Sequence, residues 1–279
     1  MFQMNGSKIQ LTDILPMAIL WGILSIVAFA LIYKKTMKRS YSLILYSISL
    51  IVGGIILVGI PNAVMPIQQI LITISMGNPI IGIIPMIIVL IVLLATTLVI
   101  GRLFCGYACP LGAVQELISK FQFKNTIKNN GKRKYVLNIP KNIRLGIRGG
   151  MFFVIVVLAI IWSINLLQLI NPFLAFSFFT SPLGFVLWIP LLILGITIVA
   201  SFFMYRPWCT LACPFGALAN ITSRFSRYKL KRTENCTDCG LCEGICPVDE
   251  AGRSDSKSEC YLCNRCVDIC PQNAIKFSN

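Results

Sequence analysis

The sequence predicts a membrane α-helical protein that ends in a small α+β domain organised by cysteine ligation. Three observations predict it. Of 279 residues, 56% are hydrophobic and 13% charged, and the mean hydropathy is +0.79, the balance of a chain that lives in lipid. The apolar residues gather into runs of about 20, the length that crosses a hydrocarbon core at ~1.5 Å per residue. Eight of the 12 cysteines fall within the 35-residue stretch Cys236–Cys270.

Five apolar runs follow in order: Leu11–Tyr33, Tyr41–Ile60, Ile81–Ile100, Gly150–Ile170 and Leu183–Tyr205. The first lacks a basic stretch ahead of it and a small-residue cleavage site behind it. Lys34, Lys35, Lys38 and Arg39 follow at once, so it reads as a retained anchor. Segments 34–39, 101–149 and 206–232 are basic, whereas 61–80 and 171–182 carry no charge. The positive-inside rule then sets the N-terminus outside a cell membrane and the C-terminal tail in the cytoplasm. On this reading the basic charge is a topology signal and not a nucleic-acid face. The uncharged loops hold Pro61, Asn62, Pro66 and Gln68 in one and Asn171, Pro172, Phe173 and Phe176 in the other. The first is read as lying in the interface or dipping back into the protein, and both are expected to be lipid-facing filler in preference to a quinone pocket.

The tail reads Cys236-x2-Cys239-x2-Cys242-x3-Cys246-Pro247 and, after a 13-residue gap, Cys260-x2-Cys263-x2-Cys266-x3-Cys270-Pro271. That is the bacterial ferredoxin spacing twice, in which the fourth cysteine of each motif ligates the other cluster. One 4Fe–4S cluster is therefore assigned to Cys236, Cys239, Cys242 and Cys270, and a second to Cys246, Cys260, Cys263 and Cys266. Zinc ribbons use paired Cys-x-x-Cys without this triplet, and a disulfide framework needs an oxidising compartment. The absence of histidine removes bis-histidine haem and Rieske centres, and no Cys-x-x-Cys-His marks a c-type haem. No glycine-rich nucleotide loop is present.

The other four cysteines sit in a duplication. Phe104-Cys105-Gly-Tyr-Ala-Cys109-Pro110 recurs 104 residues later as Trp208-Cys209-Thr-Leu-Ala-Cys213-Pro214, and Arg102 and Arg206 match three positions ahead. Each copy follows a pair of apolar runs, so two similar halves are expected around an axis along the membrane normal. Proline at a helix start predicts an amphipathic helix after each Cys-Pro. Helix dipoles and the two arginines are expected to favour thiolates at Cys109 and Cys213. Cys105, Cys109, Cys209 and Cys213 are thus a candidate third redox or metal site: an iron–sulfur centre, a Cu(I) site or a dithiol relay.

With these motifs in hand, residues 41–279 resemble the NapH-type membrane polyferredoxins and the C-terminal membrane half of NosR-type proteins. The resemblance implies electron transfer between a quinone pool or cytoplasmic donor and an outward-facing reductase or its maturation system. It makes the chain an electron-transfer subunit of an oxidoreductase complex, with quinone or redox subunits as partners and any flavin supplied by a partner flavoprotein. A copper reductase or assembly factor and a redox-sensing regulator are the competing functions. The expected organisation is an anchor over 1–40, a repeat hairpin over 41–125, a basic linker over 126–148, a second repeat hairpin over 149–233 and a ferredoxin domain over 234–279.

Overall fold

The computed structural model describes residues 11–77, 79–128, 137–163, 166–179 and 188–278. Apart from one two-stranded sheet, the regular structure among these residues is helical. Helix α1 spans Leu11–Tyr33, and α2 spans Arg39–Ile48 before continuing as a π-helical segment over Ser49–Ile56. Helices α3 (Val64–Ser75), α4 (Ile84–Ile100) and α5 (Pro110–Lys128) complete the first half. Helices α6 (Lys141–Ile161), α7 (Leu166–Ile170), α8 (Trp188–Ala200) and α9 (Pro214–Arg224) form the second.

Among the described residues, three helical stretches are long and apolar enough to cross a membrane: Arg39–Ile56, Ile81–Ile100 and Lys141–Ile161. They leave large apolar side chains uncovered, among them Ile88, Ile91 and Leu98 on α4 and Phe153 and Ile160 on α6. Such faces are stable in lipid and costly in water. Helix α1 forms over the expected first run. Two other expectations shift. The fourth run begins at Lys141, not Gly150, and stops at Ile161, because Trp162 and Ser163 (φ +53°) break the helix before α7. The fifth is a helix of 13 residues, Trp188–Ala200; residues 183–187 of that run lie outside those described.

The described parts of the charge-free loops are not wholly lipid-facing filler, although Ile74, Met76 and Phe179 stay exposed. After Ile56 the chain doubles back: a Cβ on Gly53 would lie 2.8 Å from the Ile60 carbonyl, and Gly59 turns at φ +82° against the Phe173 carbonyl. Asn62 Oδ1 accepts from the Val64 and Met65 amides and starts α3, and Asn171 Oδ1 accepts from the Phe173 amide in the same way. Asn171 Nδ2 donates to Gln68 Oε1, joining the loops. Ala63, Val64, Ile67, Phe173 and Phe176 are buried. Uncharged sequence between apolar runs did not distinguish lipid contact from re-entry into protein. The buried asparagine caps make the difference, because each satisfies backbone amides away from water.

The halves repeat in detail. A π-helical turn over Phe104–Ala108 precedes α5, and one over Trp208–Ala212 precedes α9. In each, the second cysteine amide donates back to the turn's first carbonyl: Cys109 to Phe104 (3.0 Å) and Cys213 to Trp208 (2.9 Å). Pro110 and Pro214 open the following helices, where no amide donor is needed.

The C-terminal domain pairs β1 (Lys229–Arg232) antiparallel with β2 (Ile275–Ser278), with Leu230 opposite Phe277. Its short helices, α10 (Leu241–Ile245) and α11 (Arg265–Ile269), follow matched left-handed residues, Gly240 and Asn264. The domain therefore takes in β1, which the expected boundary at residue 234 left out. It also leans on α1: Phe29 and Tyr33 pack against Tyr228, and Phe29 meets Phe277 edge-on at 5.8 Å.

Candidate functional site

Each twelve-residue cysteine motif of the tail folds the same way. Positive φ recurs at Asp238 and Leu262, at Gly240 and Asn264, and at Asp249 and Asn273. These reversals wrap the backbone around the space between the thiols. The fourth cysteine of each motif is held apart and receives a backbone donor, Glu250 N to Cys246 Sγ (3.4 Å) and Ala274 N to Cys270 Sγ (3.3 Å). The outcome is two cavities. One is lined by Cys236, Cys239, Cys242 and Cys270. The other is lined by Cys246, Cys260, Cys263 and Cys266. Each thus draws its fourth cysteine from the opposite motif, and Arg232 and Ile275 line both.

A third cavity is lined by Cys105, Cys109, Cys209 and Cys213. The pseudo-repeat brings the four thiols together, two from each half. Its walls include Trp208 and Phe215, and also Ala63, Val64 and Phe173 from the re-entrant loops. Cys213 caps α9 by accepting from the Gly216 amide (3.4 Å), and Gln115 Nε2 donates to Cys209 Sγ (3.4 Å). Gly112 and Gly216 hold matched places. A Cβ on Gly112 would fall 2.5 Å from the Cys105 carbonyl, and one on Gly216 3.0 Å from the Cys209 carbonyl. Glycine is thus what lets each helix start press on its own cysteine turn.

Burial works against the expected thiolate character. Burial pushes the Cys105 thiol up to about 11 and Cys213 up to about 12, and Cys109 and Cys209 rise as well. Arg102, Arg148 and Arg206 act in the opposite direction on Cys105 and Cys209 but do not overcome desolvation. In the tail, burial likewise raises Cys246 to about 11 and Cys260 to about 12.

The arginines do other work. Arg102 donates to Glu259 Oε1 (2.8 Å), the Tyr261 hydroxyl (3.0 Å) and the Gly216 carbonyl (3.1 Å). Arg148 donates to the same Glu259 oxygen (2.6 Å) and to the Cys209 carbonyl (3.3 Å). Arg206 donates to Glu116 Oε2 (2.9 Å) and the Cys105 carbonyl (2.6 Å), and Arg265 donates to Glu116 Oε1 (2.6 Å). Each glutamate is shared between two arginines, and all six side chains are buried. Burial by itself raises both carboxyls, but the paired guanidiniums hold Glu116 and Glu259 below the usual carboxylate range.

Within this network four arginines face two glutamates, and three of the arginines, Arg102, Arg148 and Arg206, act directly on the thiols. An oxidised 4Fe–4S cube with four thiolates carries a net charge of about −2 and fits that setting. Two buried donors of cavity-lining residues, Arg102 Nε and Trp208 Nε1, have no hydrogen-bond partner in the protein, as suits a wall facing sulfur acceptors. Among the described residues no three His, Cys, Asp or Glu side chains converge on one ion position. A cube attaches each thiolate to a different iron and needs no such convergence, whereas a tetrahedral zinc ion does.

The sequence reading missed Arg148, Glu116, Glu259 and Tyr261. Arg144 and Arg148, expected in a basic linker, lie one turn apart near the start of α6 and are buried. Arg144 donates to the carbonyls of Pro247 and Val248. Basic residues read as topology signals therefore converge on the tail. One signal was available: Glu116 is the only acid between Asp13 and Glu234.

Comparison with known proteins fits this geometry. Residues 83–128 and 186–233, which contain the two repeats, match a family model described as a 4Fe–4S binding domain; residues 255–276 match a second model of the same description. An uncharacterised protein of Methanocaldococcus jannaschii is 33% identical over 190 residues, covering 68% of this chain and 77% of its own. Another from the same organism is 30% identical over 192 residues, covering 67% and 69%. The ferredoxin-type protein NapH of Haemophilus influenzae is 25% identical over 192 residues, covering 64% of this chain and 62% of NapH. No solved structure matches the chain.

Proposed function

The chain belongs to the NapH-type family of membrane 4Fe–4S polyferredoxins, and from that premise we propose that it passes single electrons between a cytoplasmic donor and a quinone or partner redox subunit. Cys236, Cys239, Cys242 and Cys270 hold one 4Fe–4S cluster, and Cys246, Cys260, Cys263 and Cys266 hold a second. Cys105, Cys109, Cys209 and Cys213 hold a third iron–sulfur centre. The observation that carries this reading is the succession of three four-cysteine cavities, each sharing wall residues with the next.

When bound, the clusters supply one-electron chemistry at potentials set by charge, hydrogen bonding and exposure. The chain's own residues do the rest. Arg102, Arg148 and Arg206 balance negative charge at the membrane cysteines, and their bonds to the Cys105, Cys209 and Gly216 carbonyls fix the turns that present those thiols. The backbone donors to Cys246, Cys270 and Cys213 stabilise thiolate sulfur. Leu111, Trp208 and Phe215 exclude water from the membrane site.

In this account α1, α2, α4, α6 and α8 are the five spans, with the N-terminus outside and the tail domain in the cytoplasm. The basic stretches beside the tail support that orientation. The re-entrant loops then approach the membrane cysteines from the outer side, which shortens the distance to a quinone or outward-facing partner. The test is reoxidation of dithionite-reduced, anaerobically purified protein by a quinone analogue. Rapid reoxidation that is lost in Cys105→Ser/Cys209→Ser protein is the expected result, and equal rates in both proteins would refute the route.

A further inference from the structure

Among the residues lining the cavities, Tyr261 is the one shared by the Cys246/Cys260/Cys263/Cys266 cavity and the membrane-cysteine cavity. It follows Cys260 directly in the chain and is buried. Its carbonyl lies where a Cβ on Gly106 would come within 2.6 Å, so the tail backbone touches the first cysteine turn. Its hydroxyl sits 3.5 Å from the Cys209 carbonyl, at the second cysteine turn. The ring is held between pseudo-equivalent residues of the two halves, with Arg102 5.3 Å and Arg206 4.6 Å from its centroid. Tyr205 closes the side edge-on at 6.1 Å. The tail domain therefore sets one aromatic side chain between the repeats and reaches both cysteine turns with it.

We propose that Tyr261 is the electron-transfer contact between the second ferredoxin site and the membrane-cysteine site. This rests on the reading that both sites hold redox centres. One electron leaves one site and arrives at the other, so the first is oxidised by one and the second reduced by one. No bond is formed or broken and no proton moves. Electron tunnelling falls steeply across voids and long gaps, and Tyr261 fills this gap with covalent and close-packed matter. The tyrosine itself is not oxidised. The ring and its packing supply the route, which makes Tyr261 a positioning residue.

The experiment is freeze-quench EPR on the anaerobically purified full chain after a sub-stoichiometric pulse of dithionite. The membrane-site signal is identified as the one lost in Cys105→Ser/Cys209→Ser. Tyr261→Phe keeps the ring and is expected to transfer within about threefold of the wild-type rate, whereas Tyr261→Leu slows arrival at the membrane site by about tenfold or more. Iron content and the midpoint potentials of all signals are expected to stay unchanged in both, which a merely structural role would not produce. Should Tyr261→Leu fail to retain iron, Tyr261→Met, which fills the space without a ring, takes its place in the comparison. A Leu or Met variant that transfers at the wild-type rate overturns the proposal. Wild-type protein with ferredoxin signals but none dependent on Cys105 and Cys209 would instead remove the three-site reading on which it rests.

Discussion

Glu259 shows how much depends on single side chains here. It takes Arg102 and Arg148 from the two halves and Asn220 from α9, while belonging itself to the tail domain. Glu259→Gln leaves two guanidiniums buried without their counter-charge, a change that costs about 3–5 kcal/mol. The expected outcome is a folded ferredoxin tail that comes loose from the membrane region, seen as faster proteolysis near Thr233 in protein that keeps its tail iron. The same residue sets a pH dependence. Because Glu116 and Glu259 are held below the usual carboxylate range, their contribution is complete above that range and is lost as pH falls through the depressed values. Docking should therefore be constant near neutrality and weaken below about pH 4. Protease sensitivity that rises instead on the alkaline side would contradict this assignment.

At the scale of elements, α1 is more than an anchor. Phe29 and Tyr33 near its end meet Tyr228 and Phe277, and Trp21 meets Phe104 edge-on at 6.4 Å beside the first cysteine turn. Phe29→Ala should cost about 3 kcal/mol of this docking. Hydrogen exchange of β1 and β2 should quicken while α4 and α6 are unaffected. What was legible in sequence at this scale followed from strong local signals. Spacing alone marked the ferredoxin motifs, and Pro110 and Pro214 marked the starts of α5 and α9. Which placement the charge-free loops take, and the burial of the arginines near the start of α6, were not legible. Asn62 and Asn171 read as loop residues until their amide partners are seen, and Arg144 and Arg148 look like any basic flank. A charge beside an apolar run does not say whether it faces headgroups or a glutamate far along the chain. Glu116, alone in more than two hundred residues without another acid, was the exception that a stricter reading would have followed.

At the scale of the whole molecule, the tail and the duplicated membrane region form one electron-carrying unit. Arg232 and Ile275 stand between the first two cavities, and Tyr261 between the second and third. Three buried arginines, Arg102, Arg148 and Arg206, act on the thiols of the third cavity, a setting that suits the negatively charged centre proposed there. The most direct measurement is the iron and acid-labile sulfide content of anaerobically purified protein, compared with its Cys105→Ser/Cys209→Ser variant. Three cubes give about twelve iron atoms per chain in the wild type and about eight in the variant. Equal iron in the two proteins would contradict the account.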